Sequence, residues 1–260
     1  MSAIERYFSA EQILSIYPLD SYREYCKDVL QERGFDFNTC IYKLSFSDVK
    51  FYLPLWYEDC MQQSISLHDQ FYEMDALIYL KNKFLNRIKN KLILDIGANI
   101  GNHSLFFSNY LHPKKIYAFE PASDTYAILR KNVEINEFDY IISTMNVGVG
   151  AKESKGVINF RAPFNMGATA IIESDAGSID IIKIDSLHLQ DDIGLIKIDV
   201  EGFEDRVITG AKDTISRYRP IIMIEIFDDS PKFDEINLFL SHLGYIAEAF
   251  NEANYFFYIP

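Results

Sequence analysis

The chain has 260 residues, 48% hydrophobic and 24% charged, with a formal net charge of −13. It is long enough to bury one large core and too acidic for nucleic acid or an anionic membrane surface to be an expected partner. No apolar run approaches the roughly 20 residues that span a bilayer, and Glu5, Arg6 and Glu11 stand where a secretory signal would be apolar.

In chain order, Ser9 and Gln12 make a capping-box pattern for a helix that continues, bent at Pro18, to Gln31 and stops at Gly34. Residues 42–46 alternate and residues 50–53 precede Pro54, which reads as a hairpin. Phe71, Met74, Leu77, Ile78, Phe84, Leu85 and Ile88 share one face of a helix expected over residues 69–87. Cys26, Cys40 and Cys60 are odd in number and lack zinc spacing, so they read as free or buried thiols of a cytoplasmic protein. Residues 1–90 are therefore expected to form a helical and hairpin extension. It either packs onto the rest of the chain or covers an acceptor site.

From residue 91 strands and helices alternate. Strands are expected at residues 91–96, 115–119 and 141–147, with helices at 101–111 and 123–136 between them. An irregular stretch, 148–177, holds a short strand at 157–160 and a loop with Pro163, Met166 and Gly167. Residues 179–184 read as a short strand and 195–200 as one buried on both faces. A helix (204–218), a strand opened by Pro220 (221–226), a helix (233–243) and two last strands (245–250, 255–259) complete the order. The fold class is α/β: a mostly parallel twisted sheet covered by helices, with an antiparallel pair at the C-terminus.

The most informative segment is Asp95-Ile96-Gly97-Ala98-Asn99-Ile100-Gly101-Asn102. A strand ends in an acid, two glycines four residues apart follow, and a helix begins. Such a turn lets a ligand lie against bare backbone. The third glycine of a dinucleotide fingerprint is missing. A carboxylate before the turn repels a pyrophosphate but suits an ammonium group. S-Adenosylmethionine carries an amino-acid end, a ribose and a sulfonium, and no phosphate. Asp95 is matched to its amino group, Gly97 and Gly101 to its close approach, and the amides of residues 99–102 to its carboxylate. Glu120, closing the second strand, is placed to accept a ribose diol.

These residues resemble the first motif of the FkbM family of S-adenosylmethionine-dependent methyltransferases, with Ala118-Phe119-Glu120-Pro121 resembling the second. Asn132, Asn136, Asn146-Val147-Gly148 and Gly167-Ala168-Thr169 fall where the family carries similar residues. Lys197-Ile198-Asp199-Val200-Glu201-Gly202, followed by Glu204, is the most distinctive match, and residues 220–225 resemble the last motif. The resemblance covers residues 91–260 and implies a Rossmann-like methyltransferase fold. It adds Ala98, Asn99, Asn102, Pro121 and Asn146 to the expected cofactor-binding residues. Many members have histidine where this chain has Phe227.

The implied reaction is O-methylation of a small-molecule hydroxyl, most often on a sugar or glycan precursor. An alcohol needs a base or a Lewis acid to become a nucleophile. Asp199, at the carboxyl end of a central strand, is the first candidate, with Glu201 and Glu225 next. Lys197 and Asp199 share one side of their strand and also read as a structural pair. Asp199, Glu225, Asp228 and Asp229 offer oxygens that suit a divalent ion, but their spacing is too loose to predict a metal. A nicotinamide-dependent oxidoreductase and a non-catalytic cofactor-binding protein are the alternatives. The expected partners are a small-molecule or sugar acceptor and, as an open alternative, a second copy of the chain.

Overall fold

The computed structural model describes residues 19–226 and 230–260. The expected capping box at Ser9 and Gln12, the bend at Pro18, and the residues Phe227, Asp228 and Asp229 lie outside them. The described chain begins with α1 (Leu19–Glu32), β1 (Ile41–Lys43), β2 (Lys50–Tyr52), α2 (Cys60–His68) and α3 (Met74–Ile88). There follow β3 (Leu92–Ile96), α4 (Asn102–Tyr110), β4 (Lys115–Phe119), α5 (Ser123–Ile135), β5 (Ile142–Met145) and β6 (Gly148–Val149). Then come β7 (Ser154–Ala162), β8 (Asn165–Glu173), β9 (Ile179–Ile182) and β10 (Ile193–Ile198). The chain closes with α6 (Glu204–Gly210), α7 (Lys212–Tyr218), β11 (Ile221–Glu225), α8 (Pro231–His242), β12 (Ile246–Ala249) and β13 (Asn254–Tyr258).

Seven strands form one sheet in the order β12-β13-β11-β10-β3-β4-β5. Neighbours from β11 to β5 pair in parallel, and β13 is antiparallel to both β11 and β12. Every residue of β3 and β10 is buried, which is why both read as unbroken apolar runs. The parallel strands run outward in chain order from β3 through β4 to β5 on one side and from β10 to β11 on the other. Their carboxyl ends therefore flank the crevice where open α/β sheets hold ligands.

The N-terminal segment is part of this body. One hydrophobic cluster joins Cys26, Leu30, Phe51 and Phe71 to Ile93, Phe106, Leu129 and Leu195. Burying each of the large side chains contributes about 1.5–3 kcal/mol. Two asparagines of α5 fasten the hairpin to the main body. Asn132 accepts from the Tyr52 amide at 2.5 Å, and Asn136 accepts from and donates to the Lys50 backbone at 2.8 and 2.7 Å. They stand in for a third strand beside β2.

Four expectations need correction. The helix expected over 69–87 begins at Met74, because Asp69 instead ends α2 in the left-handed region (φ 54°). Helix α2 itself was not expected, although Asp59 and Gln62 carry its cap: the Asp59 carboxylate accepts from the Gln62 amide at 2.9 Å. The helix expected over 204–218 is broken at Ala211. A β-carbon on Gly210 would meet the Gly150 carbonyl oxygen at 2.0 Å, so α6 ends where it crosses that loop. The irregular stretch 148–177 is in fact a β-hairpin of two nine-residue strands, β7 and β8, in a four-stranded sheet ordered β6-β9-β7-β8.

Candidate active site

The strand β3 hands over to α4 through Gly97, whose φ of +77° suits glycine. The amides of Gly97 and Ala98 both donate to the Phe119 carbonyl, at 3.0 and 2.9 Å, so the turn is tied to the end of β4. On the other side the Asp199 amide donates to the Ile96 carbonyl at 3.0 Å. Lys197 completes the tie, its Nζ donating to the Gly97 carbonyl at 2.7 Å.

Asp95 sits under this turn, with no exposed surface. Ser104 Oγ donates to its Oδ2 at 2.5 Å, and Lys197 Nζ lies 3.6 Å from its Oδ1. Asp95 does not line the cleft, so the expected contact with a ligand's ammonium group does not fit its burial. Its visible work is to neutralise a buried lysine. Burial opposes the charge of Lys197, but Asp199 and Asp95 outweigh it and hold the ammonium above its ordinary pKa.

A cleft lies above the turn; the space it borders, open solvent included, is about 830 Å³. Of the residues expected to touch a cofactor, Gly97, Asn99, Glu120 and Pro121 line it. Ala98, Gly101, Asn102 and Asn146 do not, and the structure gives three of them other work. Asn102 clamps Tyr72, accepting from its amide at 2.9 Å and donating to its carbonyl at 3.1 Å. Asn146 donates to the carbonyls of Glu120 and Pro121 at 2.8 and 3.1 Å, where the chain leaves the main sheet. Gly101 caps α4 with φ 92° against Leu129.

Glu120 is buried and its two oxygens accept from the Asn99 amide at 3.0 Å and the Ala122 amide at 2.9 Å. Each oxygen keeps a lone pair for a ligand. Burial pushes this carboxyl up to about 7, against the pull of those two amides. The Asn99 amide, expected to meet a ligand carboxylate, is thus already engaged. Asn99 Oδ1 is buried and has no hydrogen-bond partner in the protein.

Asp199, Glu201 and Glu225 all line the cleft. Asp199 closes β10 and accepts from Lys197 Nζ at 3.2 Å. Glu201 follows in the left-handed region (φ 53°); its residue reaches solvent at the rim, and partial desolvation of the carboxyl, then Asp199 and Glu204, raise it to about 7. Glu225 ends β11 and is more enclosed. Burial, then Asp199 and Glu73, lift it to about 8. Glu73 was not singled out in the sequence. It precedes α3 at φ 56°, within 3.3 Å of His103 Nε2, and accepts from Asn254 at 2.8 Å. Burial opposes its charge, but His103 and Asn254 outweigh it and bring the carboxyl down to about 2.

The hairpin β7–β8 forms the facing wall through Asn165, Met166 and Gly167, beside Met61 and Tyr72 from the N-terminal segment. Its tip is bound to α2, since the Met166 amide donates to Asp59 at 2.7 Å and the Cys60 amide to the Phe164 carbonyl at 2.8 Å. Its other flank is held by Arg161, which donates through both terminal nitrogens to Asp124 at 2.6 and 2.9 Å. Of the rim residues expected here, Asn165 and Met166 face the cleft, while Phe164 is half exposed at the tip. Among the described residues no group of three or more His, Cys, Asp or Glu is arranged to hold a metal ion.

A glycine turn at the sheet's switch point, a buried acid on the neighbouring strand and a carboxylate-lined cleft define an α/β protein of the nucleoside-cofactor-binding class. A family model, the methyltransferase FkbM domain, matches residues 95–247. The chain belongs to the FkbM methyltransferase family, whose chemistry is methyl transfer. Among curated proteins it is 23% identical over 181 residues to Methyltransferase 1 of Beauveria bassiana, covering 60% of this chain and 72% of that one. It is 24% identical over 196 residues to Methyltransferase sdnD of Sordaria araneosa, covering 62% and 75%. A solved FkbM methyltransferase from Methylobacillus flagellatus is 22% identical with a TM-score of 0.49 over 65% of this chain. The match spans 44% of that protein's length.

Proposed function

We propose that the protein transfers a methyl group from S-adenosylmethionine to a hydroxyl of a small, uncharged acceptor, most consistent with a sugar or glycan precursor. The observation that carries this reading is the set of carboxylates facing one cleft, Glu120 on β4's side and Asp199, Glu201 and Glu225 on β10's and β11's. Among the described residues the cleft's lining contains no Lys, Arg or His. A sulfonium-bearing cofactor suits that field, and a pyrophosphate does not. The nicotinamide alternative is weakened by the same fact.

The residues fit the donor. Glu120 has free lone pairs for a ribose diol and lines the cleft beside Gly97 and Pro121. When bound, S-adenosylmethionine supplies an electrophilic methyl. The protein's part is to align the acceptor oxygen and to hold its proton. In this reading Asp199, kept beside Lys197, orients the hydroxyl, and Glu225 and Glu201, with pKa values raised toward neutrality, take its proton. The absence of lining cations also favours an unphosphorylated acceptor over a nucleotide-activated one. The thiols Cys40 and Cys60 support a cytoplasmic setting.

The test is to incubate the protein with S-adenosylmethionine bearing a trideuterated methyl and a panel of neutral sugars and polyols. A mass shift on a hydroxyl, lost in Asp199→Ala, is expected. Binding of a nicotinamide dinucleotide with no binding of S-adenosylmethionine would overturn the reading.

A further inference from the structure

We propose that the carboxylates at the carboxyl ends of β10 and β11 exchange a proton for the donor's positive charge. They release a proton when a sulfonium-bearing donor enters and regain one, from the acceptor hydroxyl, when the methyl leaves. This rests on the donor reading above.

The geometry that supports it is an imbalance of charge. Glu225 faces both the main cleft and a smaller space behind it, bordered by Glu73, Lys197, Asp199 and Asn254. From β10, Asp199 and Lys197 face it, and Glu201 does so from the loop that follows. From the residue before α3 comes Glu73, which lies 3.3 Å from His103 Nε2 of α4. Asn254 of β13 is uncharged, and Tyr72, which lines the same cleft ahead of α3, brings no positive charge. Lys197 is shared already between Asp199 at 3.2 Å and Asp95 at 3.6 Å. Among the described residues Glu225 therefore has no cation of its own, and burial with Asp199 and Glu73 raises it to about 8. Crowding several carboxyls around one shared lysine favours holding a proton among them, and a unit positive charge in the cleft favours its loss.

The transfer step then keeps the cleft's charge constant. The oxygen–methyl bond forms and the sulfur–methyl bond breaks, with the bonding pair staying on sulfur as a neutral thioether. The hydroxyl proton passes to the Glu225–Glu201 group, and solvent receives it only when product is replaced by new donor.

Calorimetric titration of the full chain at pH 7.5, in buffers of different ionisation enthalpy, tests this. S-Adenosylmethionine and S-adenosylhomocysteine share every group except the sulfonium methyl. The former is expected to release about one proton and the latter close to none. Glu225→Gln should remove most of the difference, and Glu201→Gln a smaller part. Equal proton release by the two ligands would overturn the inference while leaving the donor reading intact, as would a difference unchanged in both variants. Binding of neither ligand would overturn the donor reading and this inference with it.

Discussion

A β-carbon on Gly97 would lie 1.7 Å from the carbonyl oxygen of Asp199. The ends of β3 and β10 are thus packed backbone to backbone, and Lys197 draws them together by donating to the Gly97 carbonyl. Gly97→Ala must both strain a positive φ and push β10 away. It should cost at least about 2 kcal/mol and lose cofactor binding. Urea unfolding and ligand titration read the two effects.

Lys197→Met should destabilise by about 3–5 kcal/mol, because it leaves Asp95 charged, fully buried and without a cation. Adding Asp95→Leu should recover much of that loss. A double-mutant cycle in urea measures the coupling. Additive losses would show that the pair is not a unit.

Glu225, Glu201 and Glu120 have folded-state values raised to about 8, 7 and 7. A raised carboxyl favours the fold while protonated, so ligand-free stability should fall as pH rises from about 4.5 through 8. Glu73, held down at about 2, acts oppositely and costs stability only as pH falls from about 4.5 toward 2. Thermal unfolding across pH 5–9 should show the first slope. Glu225→Gln should flatten it, gaining on the order of 1–2 kcal/mol at pH 8.5 after screening at the open cleft.

Glu120→Ala removes the acceptor of the Asn99 and Ala122 amides and the proposed ribose partner. A loss of about 1–3 kcal/mol in S-adenosylhomocysteine affinity is expected, a factor of roughly 5–150. Glu120→Gln, which keeps one acceptor oxygen, should lose less. Calorimetry ranks the two.

Arg161→Ala unties the β7–β8 hairpin from α5 without touching the core. Stability should change by under about 1 kcal/mol, while limited proteolysis should cut the hairpin faster. The acceptor KM should rise more than kcat falls.

The central sheet was readable because β3 and β10 are buried on both faces and so carry unbroken apolar runs. Gly97 was readable because so few residue types tolerate its turn. The β7–β8 hairpin was not. Its turn uses Pro163 and a left-handed Phe164 (φ 61°) in place of Asn-Gly, and contact with Cys60 and Asp59 stabilises it. One charge partner of Glu225, Glu73, was hidden for a different reason. Glu73 reaches the site from before α3, held by Asn254, 181 positions away in the chain. Asp95 was placed correctly at the strand end, but only the three-dimensional position of Lys197 reveals that its carboxylate faces inward.

The most direct measurement is a crystal structure of the protein grown with S-adenosylhomocysteine. The expected result is a ligand in the cleft, with both ribose hydroxyls on Glu120 and the sulfur turned toward Asp199 and Glu225. A ligand bound outside this cleft, or ribose hydroxyls held by other residues with Glu120 untouched, would contradict the assignment.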